Sequence, residues 1–359
     1  MLPVPTTLPA SRRTRARATG WWAAAIALVA VLGAAMEPRA EPTTWSNPVA
    51  IGAEPVPMDH ADAEATTIGR LRWRGGLALS ARDSRTFGGW SALRTSDDGK
   101  KLWAISDEGA WLTASLRYDS RGHLSGIADG RIGPLRGEDG KPLRAKRDAD
   151  AESLARLPDG SWLVGFEQRH RILRYPPGEE PTGGGLAGVP MPVAAPPGLE
   201  RAPSNGGLEA MVATADGTLV LITEELSDAP GTVVGWTGRW TAAGARDWAS
   251  FRYVPAAGGF RPTAIATLPD GDFVVLERAY SLWQGVRIRV MRIRGGQIAP
   301  GASVVGEELA KLASPNAVDN FEGVATGRGS RGETLLWLLS DDNFSPLQRT
   351  LLLMFELLP

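Results

Sequence analysis

The stretch AESLARLPDGSWLVGFEQ (Ala151–Gln168) reads as a short apolar strand, a Pro-Asp-Gly turn, a second apolar strand and an acidic tip at Glu167. Asp-Gly between two such runs is a strong hairpin signal, because the glycine supplies backbone angles that a tight turn needs. The same text recurs. WSALRTSDDGKKLWAISDEG begins at Trp90, GLEAMVATADGTLVLITEE at Gly207, RPTAIATLPDGDFVVLERA at Arg261 and NFEGVATGRGSRGETLLWLLSDDN at Asn320. Aligned on the turn, Ser91, Glu152, Glu209, Thr263 and Glu322 are equivalent, at intervals of 61, 57, 54 and 59 residues.

Further strand candidates follow each hairpin: WLTASLRYD, RILRYP, TVVGWTGRW with WASFRYV, VRIRVMRIRGGQI and RTLLLMFELL. That makes about four strands per repeat, with no helical period between them. The pattern predicts an all-β chain folded as a β-propeller of five or six blades, each a repeat of nearly 60 residues. IGRLRWRGGLALS (Ile68–Ser80) stands outside the repeats as a spare strand pair that can complete the last blade and close the ring. A sixth, degenerate blade would have to be assembled from the termini and the long connections. A β-sandwich is the rival architecture.

Composition narrows the chemistry. The 359 residues carry a net charge of -1, so no global basic field points to nucleic acid. There is no cysteine, which removes disulfides, thiol nucleophiles and thiolate metal sites. With only His60, His123 and His170, a histidine-rich zinc site is not expected, and a metal centre has to be built from oxygen ligands, which suits calcium or magnesium. Four arginines between Arg12 and Arg17 precede an uncharged run from Trp21 to Met36, followed by small residues. This is the order of a signal peptide, expected over 1–40, with an uncleaved N-terminal anchor as the alternative. Residues 41–67, rich in Pro, Ala, Glu and Asp, are expected as a flexible linker, and 68–359 as the propeller domain. The mature protein is expected to be periplasmic or secreted, off the membrane and monomeric.

In a propeller, the first strand of each blade lines a central channel. Glu152, Glu209 and Glu322 start such strands, and Glu167, Glu277 and Asp341 end second strands, so carboxylates should crowd one channel mouth. Crowded carboxylates need a cation. A divalent metal held by Glu152, Glu167, Glu209, Glu322 and Asp341 is one compensation. Arginine is the other: Arg169 and Arg171 follow Glu167, and Arg278 follows Glu277. Arg169, Arg171 and Arg278 are candidate phosphate or carboxylate binders, and His170 between two of them is the candidate general acid or base. The bland alternative makes the glutamates strand caps and the Arg-His-Arg run the polar face of an outer strand. No G-x-S-x-G elbow, P-loop or dinucleotide fingerprint is present.

LRWRGGLALSARDSRTFGGWSAL (Leu71–Leu93), LWAISDEGAWLTASLRYDSRGHLSG (Leu102–Gly126), DADAESLARLPDGSWLVGFEQRHRILRY and DNFEGVA (Asp319–Ala325) together resemble the phytase-like domain family of exported bacterial proteins, also described as "esterase-like activity of phytase". The resemblance runs from about residue 68 to the C-terminus. It implies a β-propeller-like fold, export, and hydrolysis of phosphate or other esters as small-molecule substrates. By analogy with propeller phytases it implies calcium at an acidic mouth. Thr263 and Ala264 depart from the acidic pattern and would break a ring of ligands. Two further readings stay open: a non-catalytic propeller that binds a ligand or protein partner in the envelope, and a lactonase-like hydrolase using Asn316, Asn320 or Asn343.

Overall fold

In the computed structural model, which describes residues 45–359 except 179, 181 and 182, five sheets, antiparallel apart from a parallel edge pairing of Ser303–Val305 in blade three, are arranged as the blades of a β-propeller. The innermost strands are Trp90–Thr95, Ala151–Arg156, Leu208–Ala213, Arg261–Thr267 and Asn320–Arg328, in blades one to five. Each pairs with the next strand of the chain, through the repeated hairpin. In the four Asp-Gly turns the glycine has φ between +66° and +90° (Gly99, Gly160, Gly217, Gly271). The aspartate before it accepts the N–H two residues on, at 2.9–3.3 Å. Side chain and backbone thus fix the same turn in four blades.

Blade count follows from how the ring closes. Blade five takes three strands from the C-terminal repeat, Asn320–Arg328, Thr334–Asp341 and Thr350–Leu357. Its outer strand is Leu71–Ser80, from the start of the domain. The spare segment is therefore one long strand, extended by a two-residue pairing at Thr67–Ile68, and not a strand pair. Among the described residues there is no sixth blade. Five apolar clusters fill the five interfaces between neighbouring blades. Leu71 and Leu77 of the closing strand are fully buried, which contributes about 1.5–3 kcal/mol each.

The stretch expected as a linker is partly ordered against the domain. Asn47–Pro48 adds to the outer edge of blade one, and Gly52–Pro55 adds to the closing strand of blade five. Short, Pro-bearing strands suit sheet edges, where a missing N–H costs nothing. The segment expected to direct export, 1–40, lies outside the described residues. No helix among the described residues is long and apolar enough to cross a membrane.

All five inner strands carry a β-bulge, and each falls at the same place. The register slips between Trp90 and Ala92, at Glu152, between Leu208 and Ala210, between Pro262 and Ala264, and between Phe321 and Gly323. The extra residue is Ser91, Glu152, Glu209, Thr263 or Glu322: the five positions that align in sequence. A bulged residue is released from strict alternation and can be re-aimed.

Candidate functional site

The bulges form one ring at one mouth of the channel, and a second ring follows from the register. Opposite the residue before each bulge lie Ser106, Phe166, Thr223, Glu277 and Ser340. The next residues are Asp107, Glu167, Glu224, Arg278 and Asp341. In the first three blades the backbone N–H of this residue donates to an equivalent carbonyl, Gly89, Asp150 or Gly207, at 2.8–2.9 Å. Four blades therefore deliver a carboxylate and blade four delivers an arginine. Glu277, expected among the acidic tips, lies one position short. It is fully buried and accepts from Tyr253 Oη at 2.6 Å and from the Ala256 N–H at 3.2 Å.

Two built-in cations divide the mouth. Arg278 lies 3.1 Å from Glu322 Oε1 and 3.3 Å from Glu224 Oε1, and donates to Asn320 Oδ1. Asn320 Nδ2 passes the network on to Glu322 at 2.9 Å and Asp341 at 3.4 Å. On the other side Lys146 Nζ lies 2.6 Å from Asp107 Oδ2 and 2.8 Å from Asp150 Oδ1. Lys146 comes from the single helical turn Lys146–Ala149 and reaches Asp150 at the i,i+4 spacing.

Between these cations lie Glu152, Glu167 and Glu209. Among the described residues none of them makes a direct ion pair, and Glu209 feels Arg278 only at longer range. Asp150, Glu152 and Glu167 are buried and offer oxygens that all lie within 4.8 Å of one another. Glu167 also accepts the Gly207 N–H. Burial first, then Glu322 and Asp150, pushes Glu152 well above the usual carboxylate range. Burial, then Glu152 and Glu167, does the same to Glu209. Burial raises Glu167 to about 7 against the pull of the Gly207 N–H, and raises Glu322 to about 7 although Arg278 opposes it. Asp341 rises to about 8, through burial and then Glu322. Such a cluster either shares protons or holds a cation. Its donors are all hard oxygens at close range and the nearest internal cations are already engaged, which fits a calcium-type ion held by Asp150, Glu152 and Glu167.

The structure thus brings Glu152, Glu167, Glu209, Glu322, Asp341 and Arg278 to one mouth. Arg169, His170 and Arg171 diverge from it. Arg169 pairs with Asp148 at 3.4 Å. The Arg171 guanidinium stacks over the Phe166 ring at 4.1 Å and donates to the Asp148 carbonyl. Both arginines line a neighbouring groove of about 370 Å³. His170 Nε2 lies 3.1 Å from the Ala202 carbonyl, and its ring packs on Gly207, the residue whose N–H serves Glu167. The run sits in the turn after blade two's second strand and at the start of its third, so alternation sends neighbours to different faces. Thr263 donates to the Phe321 carbonyl at 3.0 Å and takes no part in the carboxylate ring.

Deeper in, Arg94 closes the channel. Its guanidinium donates to the main-chain carbonyls of Leu93, Ile265, Val324 and Met211 at 3.1, 3.2, 3.1 and 2.6 Å, on blades one, four, five and three. Only a void of about 10 Å³ separates it from Glu209 and Glu322. Lys146 and Arg94 escape sequence reading because neither lies at a repeated position facing the mouth; the Lys146–Asp150 spacing is the one available signal.

Comparison with known proteins bears on the same region. The family model "Phytase-like: Esterase-like activity of phytase" matches residues 85–344, which takes in both rings. No curated protein matches the chain. Among solved structures, a gluconolactonase from Xanthomonas campestris is similar at TM-score 0.37 and 13% identity, over 87% of this chain and 98% of that one. The β-propeller domain of Cps50 (Swd1) from Myceliophteria thermophila is similar at TM-score 0.35 and 10% identity, over 85% and 99%. An α-L-arabinofuranosidase from Podospora anserina, in complex with cellotriose, is similar at TM-score 0.46 and 11% identity, over 80% and 96%.

Proposed function

This chain belongs to the phytase-like family, and on that premise we propose that it is an exported hydrolase of phosphate or other esters, working at the acidic channel mouth with a calcium ion. The observation that carries the reading is the buried triad Asp150, Glu152 and Glu167, whose oxygens lie within 4.8 Å of one another. These three would hold the ion, which when bound supplies polarisation of an ester oxygen and activation of a water. Arg278 and Lys146 hold the outer carboxylates in place and lower the repulsion that an approaching oxyanion meets. Glu209, whose carboxyl is pushed well above the usual carboxylate range by desolvation and then by Glu152, is the group placed to hand a proton to the leaving oxygen. Arg169 and Arg171 would receive a distal anionic group in their own groove, and His170 braces Gly207 beside Glu167.

The substrate class follows from charge and from the rim. Carboxylates outnumber cations at the mouth, which disfavours densely charged polyphosphates. The hairpin that continues from Arg278 exposes Tyr280, Leu282 and Trp283, surfaces that suit an apolar ester group. The test is release of phosphate or alcohol from a panel of phosphate monoesters, carboxylic esters and lactones, after chelation and again with calcium. Calcium-dependent turnover that disappears in Glu152→Gln and Glu209→Gln is expected. Folded, calcium-loaded protein that turns over no member of the panel sinks the proposal and leaves a ligand-binding propeller.

A further inference from the structure

The channel has a second end, and it is chemically unlike the first. There the inner strands finish at Thr95, Arg156, Ala213, Thr267 and Arg328, away from the bulges. A cavity of about 510 Å³ opens between them. Arg94 forms its floor, and the indoles of Trp103 and Trp162, ring centroids 5.3 Å apart, form a wall. Arg156 stacks on the Trp162 face at 4.3 Å, and Asp97 stands at the exposed rim.

The floor carries a charge that the protein does not balance. Among the described residues Arg94 makes no ion pair, and its partners are four main-chain carbonyls, all accepting from its terminal nitrogens. Its Nε–H has no acceptor there. Glu209 and Glu322 lie beyond the small void, and Glu322 is already paired with Arg278 at 3.1 Å. Burial alone draws Arg94 down to about 10, which still leaves it charged at pH 7. A half-buried guanidinium without a carboxylate is costly unless an anion completes it.

We propose that this cavity is a second binding site, separate from the acidic mouth, for a small organic monocarboxylate with a flat apolar body. The carboxylate would sit on Arg94 and the body against Trp103. A single negative charge suits the floor better than a phosphate dianion, because four carbonyl oxygens surround the guanidinium and Asp97 guards the rim. The volume admits a molecule of one ring with substituents, the size range of small-ligand pockets. Nothing in this inference rests on the proposed hydrolysis.

The experiment is isothermal titration of calcium-loaded protein with benzoate and with its neutral isostere benzamide. One-to-one, saturable benzoate binding is expected, with benzamide at least tenfold weaker. Arg94→Met should lose benzoate binding. Since Arg94 also caps four carbonyls, Trp103→Leu, with its fold checked by circular dichroism, is the second variant and should weaken benzoate at least fivefold. Absence of saturable benzoate binding, equal binding of benzamide, or an unaffected Trp103→Leu would each overturn the assignment.

Discussion

Glu167, Glu322 and Asp341 keep protons to about 7, 7 and 8, against ordinary values of 4.5, 4.5 and 3.8. The sign of the consequence follows from which state holds the proton. In the absence of a divalent cation the native state binds protons that the unfolded chain releases. This contribution is fully present below about pH 4 and is lost as pH rises through 7 to 8. The slope is up to about 1.4 kcal/mol per pH unit for each such carboxylate. Urea midpoints measured from pH 5 to 8 in chelator should fall, and calcium should flatten the fall. Glu322→Gln should reduce the slope even in chelator. Arg278 is the reverse case: it is the counter-charge of Glu224 and Glu322, so Arg278→Gln leaves two carboxylates unpaired and should cost about 3 kcal/mol, read from the same denaturation curves.

At the scale of the element, the inner hairpin does two jobs: its turn fixes register and its bulge aims the ring. Gly271 separates the two jobs experimentally. Its φ is +90°, and a Cβ there would meet nothing within 4 Å. Gly271→Ala should therefore cost about 1–2 kcal/mol through backbone strain alone, with the mouth chemistry intact. Urea denaturation and a calcium titration of the variant check both halves. The hairpins were legible in the sequence because Asp-Gly and the apolar alternation repeat. The first ring was legible too, since aligning on the turn brings Ser91, Glu152, Glu209, Thr263 and Glu322 together. The second ring was not fully legible. Residue type points to Glu277 as the acidic tip, whereas both counting from the turn glycine and pairing across the bulge match Arg278 with Glu167, one residue on, and a one-residue slip exchanges the two faces of a strand. Arg169, His170 and Arg171 read as part of the mouth because adjacency to Glu167 was visible, while the turn that carries them to a neighbouring groove was not.

For the whole molecule, ring closure is the decisive structural fact. Leu71–Ser80 is the outer strand of a blade whose other strands come from the far end of the chain. The sequence left five or six blades open because a closing strand and a degenerate blade look alike until pairing is known. A chain beginning at residue 81 would bare Leu351, Leu352 and Leu353 along the strand that Leu71–Ser80 covers. It should lose cooperative thermal unfolding and elute as an aggregate in size-exclusion chromatography. A monomer with unchanged melting would contradict the closure.

Calcium binding with proton counting, on the intact chain, tests the central claim most directly. Carboxylates that keep protons near neutral pH must give them up when they become ligands. Titration calorimetry at pH 6.5, repeated in buffers of different ionisation enthalpy, reports both binding and protons released. The account predicts saturable calcium binding with release of about one proton or more per ion, and loss of both in Glu152→Gln. Calcium that fails to bind, or that binds without proton release and is indifferent to Glu152→Gln, would contradict it.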